Sequence, residues 1–248
     1  MGFGMDLKKL NVKLYADGAA SKAIQQLTQV EHVAGFTTNP SLMRKDGVTD
    51  YETFARSLVE IVSPKSISFE VFADELSEME AQARRIASWG KNVYVKIPVM
   101  NTKQEFTGDL ISKLSQEGIQ LNITALFTLK QVEQVMNALS SDTPAIISVF
   151  AGRIADAGID PEPIMRECST LVHSKPKAEL LWASTRELFN IVQADRTGCD
   201  IITVPYSILE KVSLFGKDLE VYSLETVKTF YQDACAAHYT IDTEQETA

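Results

Sequence analysis

Residues 66–98 read SISFEVFADELSEMEAQARRIASWGKNVYVKIP, and this stretch decides the fold. Ser66–Phe72 and Val93–Pro98 are short and rich in Val, Ile and aromatic residues, the composition of strands. Between them, in Glu75–Trp89, the residues Leu76, Met79, Ala83 and Ile86 recur at helical spacing and give one apolar face. Strand, helix and strand at this spacing form a βα unit, whose right-handed crossover makes the two strands parallel.

The alternation continues outward in both directions. Further candidate strands are Val12–Asp17, Val33–Asn39, Gln120–Phe127, Ala145–Ala151, Glu179–Ser184 and Ile201–Pro205. Gln131–Leu139 carries a second helical face through Val132, Val135 and Leu139. Gly90 and Gly118 stand where left-handed C-terminal caps would close two helices. Eight units over 248 residues leave about 31 residues each, the size of a βα repeat. No Pro/Gly-rich linker splits the chain. The sequence therefore predicts an α/β fold, a single (β/α)8 TIM barrel over residues 1–239. Its last helix is expected over Leu224–Tyr239, with a disordered acidic tail over 240–248. The alternative, an open doubly wound sheet, lacks its glycine fingerprint: Gly18-Ala19-Ala20 follows the first strand. There is no P-loop either.

Composition removes other classes. With 24 Lys+Arg against 33 Asp+Glu the formal charge is −9, which speaks against a general nucleic-acid or anionic-membrane binder. A local basic pocket for a small anion remains compatible with it. No apolar run reaches the roughly 18 residues of a spanning helix. The opening MGFGMDLKKLN carries no apolar h-region. Cys168, Cys199 and Cys235 are odd in number and far apart, as free thiols in a reducing cytoplasm are. His32, His173 and His238 are scattered, with no zinc spacing, so no metal is expected.

In such a barrel, reactive groups sit at the C-terminal ends of strands and point inward. The polar residues that interrupt the strands there are Asp17, Thr37-Thr38-Asn39, Glu70, Lys96, Asn122 with Thr124, Ser148 with Arg153 just beyond, Ser184 with Arg186, and Thr203. Lys96 shares a strand face with Tyr94 and Pro98, while Val95 and Ile97 face the other way. Packed outward, the apolar pair turns Lys96 into the barrel. Desolvation there favours the neutral amine, a nucleophile for a carbonyl and a route to a Schiff base. A structural ion pair with Glu70 accounts for the same pattern, and both readings stay open. A Glu inside Ser68–Phe72 is costly unless paired. Asp17 fits either a helix N-cap or an inward acid. Arg153 and Arg186, with Ser184, fit either solvated loop residues or a bidentate phosphate clamp.

Taken together, these motifs resemble the transaldolases. Thr37-Thr38-Asn39-Pro40-Ser41 resembles that family's signature block, and Lys96 in Val-Tyr-Val-Lys-Ile-Pro resembles its Schiff-base lysine motif. Leu121–Thr124, Ser148–Arg153, Ala183–Arg186 and Ile202–Pro205 resemble further blocks in the same order. The resemblance implies a barrel of the class I aldolase type. It implies transfer of a dihydroxyacetone unit from a ketose phosphate, fructose 6-phosphate or sedoheptulose 7-phosphate, to an aldose phosphate in the non-oxidative pentose phosphate pathway. It assigns iminium formation to Lys96, proton transfer during cleavage to Asp17, and water-assisted proton transfer to Glu70 with Thr124. Thr38, Asn39, Asn122, Ser148 and Phe150 would contact the sugar, and Arg153, Ser184 and Arg186 the phosphate. It implies no cofactor, no nucleic-acid or membrane partner, and a cytoplasmic homo-oligomer, a pentamer or decamer, joined through the C-terminal helix. The related fructose-6-phosphate aldolases carry Gln where this chain has Glu70 and Tyr where it has Phe150. Both positions take the transaldolase form here. Met100, Val149 and Thr185 depart from frequent family residues and bear on the choice of acceptor. The rival readings are that aldolase, releasing free dihydroxyacetone, and a non-catalytic sugar-phosphate binder.

Overall fold

The structure, a computed structural model, describes residues 9–18 and 20–243. The chain divides into two units, Leu10–Val212 and a second made of Met1–Lys9 with Ser213–Ala248. The first unit holds eight strands: β1 (Lys13–Asp17), β2 (Val33–Thr37), β3 (Ser66–Glu70), β4 (Val93–Pro98), β5 (Leu121–Leu126), β6 (Ala145–Val149), β7 (Ala178–Trp182) and β8 (Ile201–Pro205). Each is parallel to its neighbours in sequence, and β8 pairs with β1 to close the barrel. Helices fill the connections: α1 (Ser21–Thr28), α2 (Pro40–Lys45), α3 (Tyr51–Val62), α4 (Leu76–Ala87), α5 (Gly108–Gln116), α6 (Leu129–Ala138), α7 (Ala151–Asp156), α8 (Pro161–Val172), α9 (Asn190–Arg196) and α10 (Tyr206–Leu209). The chain thus forms the (β/α)8 TIM barrel that its alternating pattern calls for.

Strand parity organises the core. On β4, Val95 and Ile97 are fully buried, as are Met79, Ala83 and Ile86 on the helix that packs against it, α4. Each such side chain contributes roughly 1.5–3 kcal/mol when removed from water, Ala less. Inside the barrel, Tyr15, Ile146, Leu181, Ala183 and Ile201 form an apolar cluster, with Tyr94 and Phe150 packed against it.

Several boundaries differ from the sequence reading, each for a local reason. β2 ends at Thr37, because Asn39 turns out to cap α2: its Oδ1 accepts from the Leu42 N–H at 3.0 Å and Pro40 opens the helix. β7 ends at Trp182, and Ser184 beyond it is left-handed at φ 65°. Gly118 has the expected left-handed backbone at φ 83°, but Gly90 does not. Gly90 is small for another reason, since a Cβ there would meet Val59 Cγ1 at 2.6 Å.

In the second unit, α11 runs Leu219–Ala236, both earlier and longer than the expected Leu224–Tyr239. Asp218 sets its start by accepting from the Glu220 and Val221 N–H groups. Of the tail expected over 240–248, residues 244–248 lie outside the described residues, as do 1–8 and Ala19. Among the described residues no helix is long and apolar enough to cross a membrane.

Candidate active site

The register of β3 against β4 sets Glu70 beside Lys96. Strand parity turns both side chains inward. Lys96 is 8% exposed, and its Nζ lies 3.0 Å from Glu70 Oε2 and 3.0 Å from the carbonyl oxygen of Thr38. The inward-pointing amine and the ion pair, left as alternatives by the sequence, are therefore both present. One strand further on, β5 pairs Asn122 with Lys96. Asn122 donates from Nδ2 to Ser68 Oγ at 3.0 Å and accepts from Ser148 Oγ at 2.7 Å. These buried bonds fix the amide orientation. Thr124 Oγ1 is buried and has no hydrogen-bond partner among the described residues. It is free to bond a molecule entering the barrel.

Across the mouth stands Asp17, at the end of β1. It does not cap α1, whose N-cap is Ala20 without a side-chain bond. Thr37 Oγ1 donates to Asp17 Oδ1 at 2.8 Å and also contacts Thr203 Oγ1. Burial pushes the Asp17 carboxyl above the usual carboxylate range. The Lys96 charge and the Thr37 hydroxyl pull it down, and Glu70 pushes it up. Thr37 and Thr203, named among the inward polar set, carry no role in the sequence reading because theirs depends on neighbouring strands. The pairing of Asp17 with Thr37 across β1 and β2 is what brings the threonine to the acid.

These groups open onto one cavity of about 200 Å³. Asp17, Asn39, Lys96, Asn122, Thr124 and Ser148 line its depth, and Phe150, Arg153, Ser184 and Arg186 its rim. The Arg153 guanidinium lies 5.1 Å from the Phe150 ring centre, and Phe150 lies 5.7 Å from Phe127. Arg186 pairs through Nε with Asp156 at 3.0 Å. Two expected residues act otherwise than their side chains implied. Thr38 is fully buried and its hydroxyl donates to Ser68 O, so it meets Lys96 through its carbonyl alone. Asn39 commits its Oδ1 to the α2 cap and keeps its amide nitrogen unused. Glu70 reaches the site through Lys96 and is absent from the cavity wall.

The rim depends on Gly152. A Cβ on Gly152 would lie 1.6 Å from the Ser184 carbonyl oxygen, so the α7 start and the Ser184 loop are in direct backbone contact. Gly152→Ala must force them apart. The expected cost is about 3 kcal/mol, which lowers Tm by roughly 6–12 °C in a chain of this size. Thermal unfolding measures it, and an unchanged Tm would show that the two loops part freely.

The two buried thiols are poor candidates for chemistry. Burial raises both Cys168 and Cys199 to about 12, so neither is a thiolate at neutral pH.

An amine beside one carboxylate, opposite a second of raised pKa, is equipped for carbonyl addition with proton transfer. A two-arginine rim is equipped to hold an anion. Comparisons with known proteins identify the family. Residues 14–247 match the family model described as Transaldolase/Fructose-6-phosphate aldolase. A protein of Dehalococcoides mccartyi named "Probable transaldolase" is 34% identical over 199 residues, 80% of this chain and 88% of its own. One of the same name from Streptococcus equi subsp. equi is 34% identical over 203 residues, 82% of this chain and 90% of its own. Among solved structures, KGPDC from Streptococcus mutans superimposes with a TM-score of 0.54 at 12% identity, over 82% of this chain and 91% of that one. This last likeness concerns the fold alone. With a family model spanning nearly its whole length and relatives matched over most of theirs, the chain belongs to the transaldolase/fructose-6-phosphate aldolase family.

Proposed function

We propose that the chain is a transaldolase working through a lysine Schiff base. The carrying observation is the Lys96 Nζ held 3.0 Å from Glu70 in a cavity whose wall includes Asp17. In this reading Nζ adds to the C2 carbonyl of a ketose phosphate such as fructose 6-phosphate or sedoheptulose 7-phosphate. The carbinolamine loses water with Glu70 moving the protons through a water held at Thr124 Oγ1. Asp17 takes the C4 hydroxyl proton as the C3–C4 bond breaks, and the bonding electrons pass to the iminium. An aldose phosphate leaves, and the enamine that stays on Lys96 adds to the aldehyde of the acceptor. Hydrolysis then frees the new ketose. Asn39, Asn122 and Ser148 bind the dihydroxyacetone hydroxyls, and Arg153, Ser184 and Arg186 the phosphate. Lys96 supplies the electron sink, so the reaction calls for no cofactor.

Phe150 bears on transfer against simple cleavage. It lines the cavity and has no hydroxyl to offer as a further proton donor. Transfer is therefore favoured over release of free dihydroxyacetone. The test is fructose 6-phosphate with and without erythrose 4-phosphate. Sedoheptulose 7-phosphate with the acceptor, and slow release of dihydroxyacetone without it, is the expected pattern. Equal turnover in both would make the chain an aldolase, and binding without turnover a sugar-phosphate binder.

The reaction belongs to the non-oxidative pentose phosphate pathway in the cytoplasm, with sugar phosphates as the small-molecule partners. The oligomer is a pentamer or decamer. Its support is α11, which exposes Leu224, Val227 and Phe230, residues that gain by burial against another subunit.

Thr124 offers a separate check. Thr124→Val replaces the buried hydroxyl by a methyl of the same shape and strips no protein group of a partner, so Tm is expected to stay within a few degrees of native. Without the water it holds, kcat is expected to fall by roughly 10–100-fold. Steady-state kinetics and thermal unfolding on one preparation check both.

A further inference from the structure

The barrel has a gap beside Glu70. β2 and β3 stay paired only as far as Thr37 opposite Ser68, because the chain then turns into α2. β3 and β4 remain paired as far as Glu70 opposite Lys96. Along a strand, alternate residues turn their N–H and C=O toward opposite neighbours. Ser68 turns its carbonyl to the β2 side, where the Thr38 N–H donates to it at 3.1 Å. Val71 turns the other way and donates to Lys96 O at 3.0 Å. Glu70 has the parity of Ser68, so its backbone faces the side that β2 has left.

One hydroxyl fills the gap. Tyr51 Oη donates to the Glu70 carbonyl at 2.9 Å and accepts from the Glu70 N–H at 3.1 Å. Tyr51 is itself held. It opens α3, whose cap Asp50 accepts from the Thr53 N–H at 3.1 Å. Its ring meets Phe69, Phe72 and Trp89 at centroid distances of 6.5, 5.3 and 5.9 Å. Burial raises the phenol far above its ordinary value, so it stays a protonated donor.

We infer that Tyr51 is a positioning residue for Glu70: its hydroxyl stands in for the missing strand and holds the carboxylate against Lys96. The inference rests on the function proposed above and extends it to a residue outside the cavity. Without the hydroxyl, both backbone groups of Glu70 lose their partner and the strand end is free to turn. Proton transfer at Lys96 then suffers. Sugar and phosphate binding, made by other strands, does not.

The test is Tyr51→Phe beside Phe72→Ala, which removes a ring contact and keeps the hydroxyl. In Tyr51→Phe, kcat for fructose 6-phosphate is expected to fall about tenfold with KM within twofold. Phe72→Ala is expected to match the native enzyme. An unchanged kcat in Tyr51→Phe overturns the inference, and so does a tenfold loss in both variants, which would make the effect one of packing. Should Tyr51→Phe not fold, 4-fluorophenylalanine at position 51 keeps close to the shape and cannot donate to the Glu70 carbonyl. The same loss of kcat is then expected, and no loss overturns the inference. A sugar-free measurement separates this inference from the proposed function. Reductive methylation of Lys96 with formaldehyde and cyanoborohydride, followed by peptide mapping, reads the Glu70–Lys96 geometry in the intact chain. A labelling rate changed about threefold in Tyr51→Phe and unchanged in Phe72→Ala supports the positioning role even if the native protein does not turn over fructose 6-phosphate. Equal labelling in the native protein and Tyr51→Phe overturns it.

Discussion

Lys96→Ala is expected to lose at least about 10⁵-fold in kcat/KM for ketose phosphate, the scale of deleting a covalent nucleophile. No neighbouring amine can replace it. Among the described residues that line the cavity, the other cationic side chains are Arg153 and Arg186, at the rim. Guanidinium groups remain charged and do not form imines. The same change breaks the contact with Glu70 and strips a donor from the Thr38 carbonyl. Stability therefore falls as well. Glu70 keeps 23% exposure of its side chain, so water takes up part of the loss. A drop of about 1–3 kcal/mol is expected rather than the larger cost of a fully buried orphan charge. Lys96→Met with Glu70→Gln is expected to recover most of that stability and none of the activity. Steady-state assays and denaturant titrations of the single and double variants check both parts.

Asp17→Asn is expected to move activity and stability in opposite directions. The amide can still accept from Thr37 Oγ1, so the local geometry is kept. It cannot take a proton from a sugar hydroxyl, and kcat is expected to fall by about 10³. The stability sign follows from burial. The native Asp17 binds its proton more tightly than the usual value of 3.8 allows, chiefly because burial disfavours its charge. Between that value and the raised one, the folded state holds more protons than the unfolded chain, so this group lowers stability as pH rises. The penalty is absent in acid and grows as pH rises toward the raised value. Asp17→Asn removes it, and Tm is expected to rise by about 2–4 °C at pH 7 and to match the native protein near pH 3. In the native enzyme, the acid limb of kcat/KM is expected to lie above the usual carboxylate range and to disappear in the variant. Equal Tm differences at pH 3 and pH 7 would show that the buried charge is not the cause.

The residues that sequence alone identified best are those whose position in a strand implies their direction. Lys96 and Glu70 interrupt apolar runs, and period-two alternation was enough to turn them inward. Asn122, Thr124 and Ser148 follow the same rule on β5 and β6. Thr38 defeated it. β2 stops at Thr37, and the turn into α2 sends the Thr38 hydroxyl to the Ser68 carbonyl and its own carbonyl to Lys96. The resemblance makes Asn39 a sugar ligand, yet its carbonyl side also serves as a helix cap, a second role that the motif conceals. Gly90 looked like a helix terminator and is instead a close approach to Val59. Tyr51 was invisible, because its partner is the backbone of a residue nineteen positions away and no composition signal marks such a bond. The local pattern carried the fold and the inward polar set. What it could not carry was the contact between elements that ends each strand.

The central claim is that Lys96 forms an iminium with the ketose inside the barrel. Borohydride reduction in the presence of fructose 6-phosphate, followed by peptide mass mapping, tests it most directly. The account predicts one stable sugar adduct, on the peptide containing Lys96, that is lost in Lys96→Ala. An adduct on another lysine, or full turnover with no adduct at all, would contradict it.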